Sequence, residues 1–339
     1  MLNRTSLFVF VLVAALGLFL AASTAQAASY TWQQTTGGNW KPDIAGTGWA
    51  PWLPADDLLY PSAIGDVAVF GAAATGAAAI NVDAVGAKVG AINFTGALFS
   101  YTLSGNALTL DNTGVGSAAI SMDAATAAAQ AIQNDLALVS NLDVTNASTT
   151  LTLTLSGVLS TSSGTTNLTK LGVGTLVLGG ANTFTGVVAV NAGTLSIALD
   201  ANLGNAGNTL SLGGGKLLAT DTVVSARGVT LASAAGSLEV ADNTKTLTLT
   251  GLVTGAEGLT KTGLGTLILS GANTFGGATK TVAVNAGTLG IAADAPLGNA
   301  ANTITLGGGK LLATETFTIA RGLTLFYGLS FVIHFFAPA

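Results

Sequence analysis

The residues able to do acid, base or nucleophilic chemistry are few in this chain and thinly spread. It holds a single histidine, His334, and no cysteine. A Ser-His-Asp or Cys-His relay would therefore have one available base and no thiol. Metal sites built on imidazole or thiolate fail for want of ligands. Paired carboxylates remain, the arrangement that serves glycoside cleavage. The acidic residues are Asp43, Asp56, Asp57, Asp66, Asp83, Asp111, Asp123, Asp135, Asp143, Asp200, Asp221, Glu239, Asp242, Glu257, Asp294 and Glu315. They stand singly except for Asp56-Asp57. Asp200 and Asp294 occupy matching positions of a long internal repeat, as do Asp221 and Glu315, and so do Arg227 and Arg321. Residues that return with a repeat serve the repeated unit rather than one active centre. The sequence thus predicts no catalytic residue, no metal ligand, no cofactor site and no enzyme.

Other motifs that suggest chemistry resolve in the same way. Gly213-Gly214-Gly215-Lys216 and Gly307-Gly308-Gly309-Lys310 resemble a phosphate loop, but Leu217 and Leu311 stand where a Ser or Thr would hold magnesium. No helix follows to offer its N-terminus to an anion. Gly172-x-Gly174 and Gly263-x-Gly265 lead into strands and read as tight turns. Asn182, Asn191, Asn205 and Asn208 return as Asn273, Asn285, Asn299 and Asn302, which suggests amide ladders between stacked turns. All four tryptophans, Trp32, Trp40, Trp49 and Trp52, fall in one short stretch. They read as a cover for the end of a stacked array, with a sugar platform as the alternative.

Composition sets the outer bounds. Residues 1–27 have the layout of a secretory leader: Arg4, an apolar run over 7–20, and Ala25-Gln26-Ala27 as a cleavage signal, with a mature start near Ala28. The remaining stretch of about 310 residues has room for one large domain or an array. Charged residues make up 8% and the mean hydropathy is +0.62, yet no later stretch is long and apolar enough to span a membrane as a helix. Without cysteines, stability must come from burial and backbone pairing. A net charge of −5 makes a poor partner for nucleic acid.

The elements follow from an internal repeat. Residues 168–186 read LTKLGVGTLVLGGANTFTG and residues 259–277 read LTKTGLGTLILSGANTFGG. After a short insertion near 278–280 the match resumes, and 188–231 returns as 282–325, a period of about ninety residues. Within it, short runs that alternate apolar and polar occur at 175–178, 188–190, 195–197, 210–212, 217–218 and 229–231, separated by Gly or Asn. That beat marks strands joined by tight turns. The alanine-rich stretch 118–138 would be helix on propensity alone. The strand beat resumes at 142–144, so it reads as strands over 119–122 and 136–139. One such turn buries too little to offset its ordering entropy, whereas stacked turns share a core. The predicted fold is an all-β, right-handed parallel β-helix over 76–325 behind an N-terminal cap segment at 28–75.

Residues 259–277 with Val284-Asn285-Ala286-Gly287-Thr288-Leu289, and residues 168–186 with Val190-Asn191-Ala192-Gly193-Thr194-Leu195, closely resemble the autotransporter-associated β-strand repeat. Both copies keep its pattern, G-x-G-T-L-x-L-x-G-x-N-T-F-x-G followed by A-G-T-L. Residues 101–110 and 151–159 resemble its degenerate turns. The resemblance implies an extracellular β-helix from a Gram-negative bacterium, exposed on the outer-membrane surface or secreted, acting as a stalk in structural or adhesive contact. Its partner would be an unknown extracellular surface or polysaccharide; a polysaccharide-acting or carbohydrate-binding β-helix is the alternative. Two departures stand out. No stretch of the given residues reads as an outer-membrane barrel or a sorting tail, and after Leu325 the match gives way to FYGLSFVIHFFAPA. The segment 326–339 reads as a truncated or frame-shifted end, with a hydrophobic plug over the last turn as the alternative.

Overall fold

The computed structural model describes residues 29–32, 37–40, 52–53, 61, 63–232 and 236–325. The leader at 1–27, the tail at 326–339 with His334, and Asp43, Trp49, Asp56 and Asp57 lie outside the described residues.

Period-2 alternation sets the strands. In Thr175–Leu178, Leu176 and Leu178 are buried while Thr175 and Val177 lie at the surface. Ala118–Met122 alternates in the same way, with Ala118, Ile120 and Met122 inside. It is a strand despite its alanines, because burial of one side of a pleated segment outweighs a weak helical preference. Gln130–Ile132 and Leu136–Leu138 complete that turn.

The strands coil into a parallel β-solenoid of about 11 turns. Each turn, or rung, crosses a first face, a second face and a third face before returning. The first face is a sheet of 11 strands and the second a sheet of 13. Pairing is parallel throughout the described residues, except that Trp52–Leu53 runs antiparallel to Ser29–Trp32 at the outer edge of the first face. The stacked column therefore begins within the 28–75 stretch: Ser29–Trp32 pairs in parallel with Val67–Phe70.

Register places like on like. On the first face Leu142, Leu168, Val188, Leu210, Val229 and Val253 lie in one inward row, and all are buried. At the N-terminal end the filling changes to aromatics. Trp32 and Trp40 are fully buried, with ring centroids 6.2 and 6.1 Å from Phe70, and Phe70 lies 5.5 Å from Phe94 and 5.2 Å from Tyr101. The Tyr101 hydroxyl donates to the Gly71 carbonyl at 2.9 Å, so its polar tip is satisfied inside the column.

The third face shows how the repeat is laid out. It carries four strands from Lys88–Val89 to Leu159–Thr161, then a stretch without strands, then five strands from Val223–Ser225 to Lys310–Ala313. The gap is filled by the loop at 179–187 and the short 3-10 turn Asp200–Leu203 of the first repeat copy. In the second copy the corresponding loop, at 270–280, and the turn Ala295–Leu297 fall on the first face, beyond Val253–Gly255. Leu168–Leu171 lies on the first face and its counterpart Leu259–Thr262 on the second. The repeat thus advances by four rungs plus one face.

Corners are tight because glycines permit them. Gly172 and Gly263 sit at φ +71°, and a Cβ there would come 2.3 Å from the Asn146 carbonyl oxygen or 2.2 Å from that of Val240. Left-handed backbone alone costs an L residue about 1–2 kcal/mol. Gly263→Ala is therefore expected to lower the urea midpoint clearly. Gly277→Ala, where a Cβ meets nothing within 4 Å, is expected to leave it nearly unchanged. Equal midpoints for the two variants would contradict this account of the corner.

Candidate functional site

The most unusual chemistry in the column is a pair of buried ammonium groups. In Leu168–Leu171 the inward positions are Leu168 and Lys170, and in Leu259–Thr262 they are Leu259 and Lys261. Both lysines are fully buried. Lys170 Nζ donates to the carbonyls of Leu171 at 2.6 Å, Gly172 at 2.7 Å and Ala192 at 3.2 Å. Lys261 Nζ repeats this with Thr262 at 2.7 Å, Gly263 at 2.8 Å and Ala286 at 3.2 Å. Each ammonium thus spends all three protons on carbonyls that the corner turns inward, tying one rung to the next. Burial pulls each lysine down to about 8.

A second cationic clamp holds the strandless stretches. Arg227 Nε donates to Asp200 Oδ1 at 2.9 Å, and its terminal nitrogens reach the carbonyls of Asp200, Gly204 and Asn205. Arg321 does the same to Asp294 Oδ1 at 2.8 Å and to the carbonyls of Asp294, Gly298 and Asn299. A planar fork with five donors suits carbonyls left facing one way by a short turn.

The buried asparagines of the repeats bond the backbone, not one another. Asn182 Nδ2 donates to the Asn202 carbonyl at 2.6 Å while its Oδ1 accepts from Leu159 N, and Asn208 Nδ2 donates to the carbonyls of Phe184 and Leu203. Asn273 and Asn302 repeat the pattern. Asn191, Asn205, Asn285 and Asn299 are exposed. The expected amide-on-amide ladder is therefore replaced by amides that substitute for strand pairing where no strand exists. Phe184 and Phe275, both fully buried, fill the core behind these loops.

Several of the described acids pair singly with lysines. Glu239 pairs with Lys216, Asp221 with Lys245 at 2.8 Å, Glu257 with Lys280 at 2.8 Å, and Asp111 with Lys88 at 3.8 Å. Of these only the Asp221–Lys245 pair is exposed, and an exposed pair adds little stability. Among the described residues no three His, Cys, Asp or Glu side chains gather as a metal-holding group. Gly213-Gly214-Gly215 forms a corner, and Lys216 after it points outward to Glu239. Trp32 and Trp40 face inward, so neither offers a platform for a sugar.

The lysine clamps fall within two stretches that match a known family, and the arginine clamps lie beyond them. The family described as Passenger-associated-transport-repeat matches residues 168–197 and 259–291. The chain carries autotransporter-associated repeats. A curated relative, the adhesin BmaC autotransporter of Brucella suis biovar 1 (strain 1330), is 41% identical over 113 residues. The match covers 33% of this chain and 3% of that protein, so the chain spans a small part of the relative's length. No solved structure matches.

Within the repeats, Lys170 and Lys261 had a readable signal. Alternation in L-T-K places the lysine on the same side as the leucine two residues before it. The acceptors could not be read, because Ala192 and Ala286 come from the following rung.

Replacing Arg227 by Ala leaves the half-buried Asp200 carboxylate and the carbonyls of Asp200, Gly204, Asn205 and Asn208 without their donor, and is expected to lower stability by roughly 1–3 kcal/mol. Arg227→Lys should recover only part of that, measured as urea midpoints. The lysines give a pH signature. In the unfolded chain they keep their protons to about 10.4, whereas in the fold they release them near 8. Between these values the unfolded state binds more protons, so stability rises as pH rises from about 8 to 10. The midpoint should climb over that window, and the climb should shrink in Lys170→Met/Lys261→Met. An unchanged slope in the double variant would refute the assignment.

Proposed function

We propose that this chain is an exported, non-enzymatic β-solenoid, a surface-exposed or secreted stalk that serves structural or adhesive contact outside the cell. The observation that carries this reading is the use made of the functional groups: both buried lysines, both buried arginines and the buried asparagines are consumed in joining rungs. The repeat likeness to autotransporter passengers and the 41% identity to a protein named as an adhesin support the same reading. About 11 rungs at a strand spacing of ~4.8 Å give a shaft roughly 50 Å long. Its two long sheets present mostly Thr, Ser and Ala outward, a weakly charged surface suited to contact rather than catalysis.

Two measurements test the proposal. Expressed from Met1 in a Gram-negative host, the chain is expected outside the cytoplasm with a mature start at Ala28 by mass spectrometry. Retention of Met1 in the cytoplasm would refute export. Incubated with a panel of polysaccharides, the purified chain is expected to release neither reducing ends nor unsaturated products. Robust turnover abolished by a single Asp→Ala change would overturn the non-enzymatic reading.

A further inference from the structure

One strand sequence occurs in both repeat copies and is buried in only one of them. Lys216–Ala219 and Lys310–Ala313 both read KLLA and hold matching places in the repeat. In the first copy Leu217 and Ala219 are 1% and 0% exposed. In the second, Leu311 and Ala313 are only half-buried. The residues are the same, so the difference lies in what covers them. Gly236–Val240 pairs in parallel with Lys216–Ala219, setting Leu238 on Leu217 and Val240 on Ala219. Among the described residues no strand pairs with the far edge of Lys310–Ala313, which closes the five-stranded part of the third face. Lys310 N and Thr314 N donate back to Gly287 and Ile291 of the rung before. By the alternation of a parallel strand, the amides of Leu311 and Ala313 face the open edge. Unpaired main-chain groups beside uncovered apolar side chains invite another strand.

The repeat itself says where that strand comes from. In the first copy four residues, 232–235, separate Val229–Leu231 from Gly236–Val240. The same step beyond Leu323–Leu325, across residues 326–329, reaches Ser330-Phe331-Val332-Ile333-His334. Identity with the first copy has been lost here. The interval has not, and Phe, Val and Ile are residues that favour strands.

We propose that the open edge of Lys310–Ala313 is a docking site for residues 330–334 of the same chain, taken up as a parallel strand in the register of the first copy. Val332 then covers Leu311 and His334 covers Ala313, the places that Leu238 and Val240 hold one repeat earlier. Ile333 falls beside Leu312 on the outer side, as Glu239 falls beside Leu218. A slip of one residue would exchange the inward and outward sets, and the four-residue corner kept from the first copy selects against it. A second chain is the rival occupant. A segment tethered four residues away competes at a much higher effective concentration. The column therefore continues past Leu325 although its repeat motif does not. The proposal stands apart from the stalk reading: failed export leaves the docking intact, and failed docking leaves the stalk.

Because the chain has no cysteine, a pair of introduced thiols reports the contact directly. Adjacent parallel strands lie about 4.8 Å apart, within the Cα span that a disulfide tolerates. In the full chain, Leu312→Cys/Ile333→Cys oxidised with copper phenanthroline is expected to close an intrachain disulfide, seen by mass spectrometry of its peptides. Leu312→Cys/Val332→Cys, whose second thiol would face the core, should close several-fold more slowly. Hydrogen exchange gives a second readout. The Leu311 and Ala313 amides are expected to exchange slowly in the unmodified chain and to lose that protection in Val332→Asp but not in Phe331→Asp. A disulfide that joins two chains, equal rates for the two pairs, or no disulfide overturns the proposal. Should a cysteine pair fail to fold, exchange in the unmodified chain decides: fast amides at Leu311 and Ala313 overturn it.

Discussion

Main-chain hydrogen bonding between successive rungs is the constraint from which the rest of this structure follows. In a parallel solenoid no strand satisfies its own N–H and C=O groups; the rungs above and below do so. Inward rows such as Leu142, Leu168, Val188 and Leu210 are likewise sheltered only by their neighbours in the stack. Wherever a rung departs from strand geometry, its carbonyls lose their partners and something else must supply donors. Lys170, Lys261, Arg227, Arg321, Asn182 and Asn273 are those donors. The most polar side chains of the core are thus substitutes for missing backbone pairing, and the motif G-A-N-T-F encodes both the departure from strand and its repair.

The two repeat copies are nearly identical in sequence and in local bonding, yet they do not occupy equivalent places. Lys170 and Lys261 make matching contacts, as do Arg227 and Arg321, although one copy starts on the first face and the other on the second. Each clamp depends only on the rung beside it. Local nearest-neighbour bonding is therefore indifferent to which face carries it, and the repeat can shift position without a change in its own sequence.

Much of the fold could be read from the chain. The alternation in Thr175–Leu178 or Val188–Val190 specifies strands, the glycines specify corners, and the near-identity of 168–186 to 259–277 specifies stacking. Even the alanine-rich stretch 118–138 yields to the strand beat around it. Of the recurring asparagines Asn182, Asn208, Asn273 and Asn302 are buried, and their backbone partners could not be read because Leu159, Phe184 and Asn202, which the first copy meets, lie in other parts of their own rung or in the rungs beside it. The advance of the repeat by one face was also hidden, since it depends on how many residues each corner consumes.

That offset between copies bears on how the shaft would respond to load. The loop at 179–187 divides the third face and the loop at 270–280 lies past the last strand of the first, and a stretch without strands is the most compliant part of a column. Had the two strandless stretches fallen on one face, they would have formed a seam along which the rod could fold in a single plane. Because they are turned around the axis, bending that opens one is resisted by the continuous sheet backing the other. Rigidity in every direction then comes from the same repeat that, taken alone, is a point of weakness.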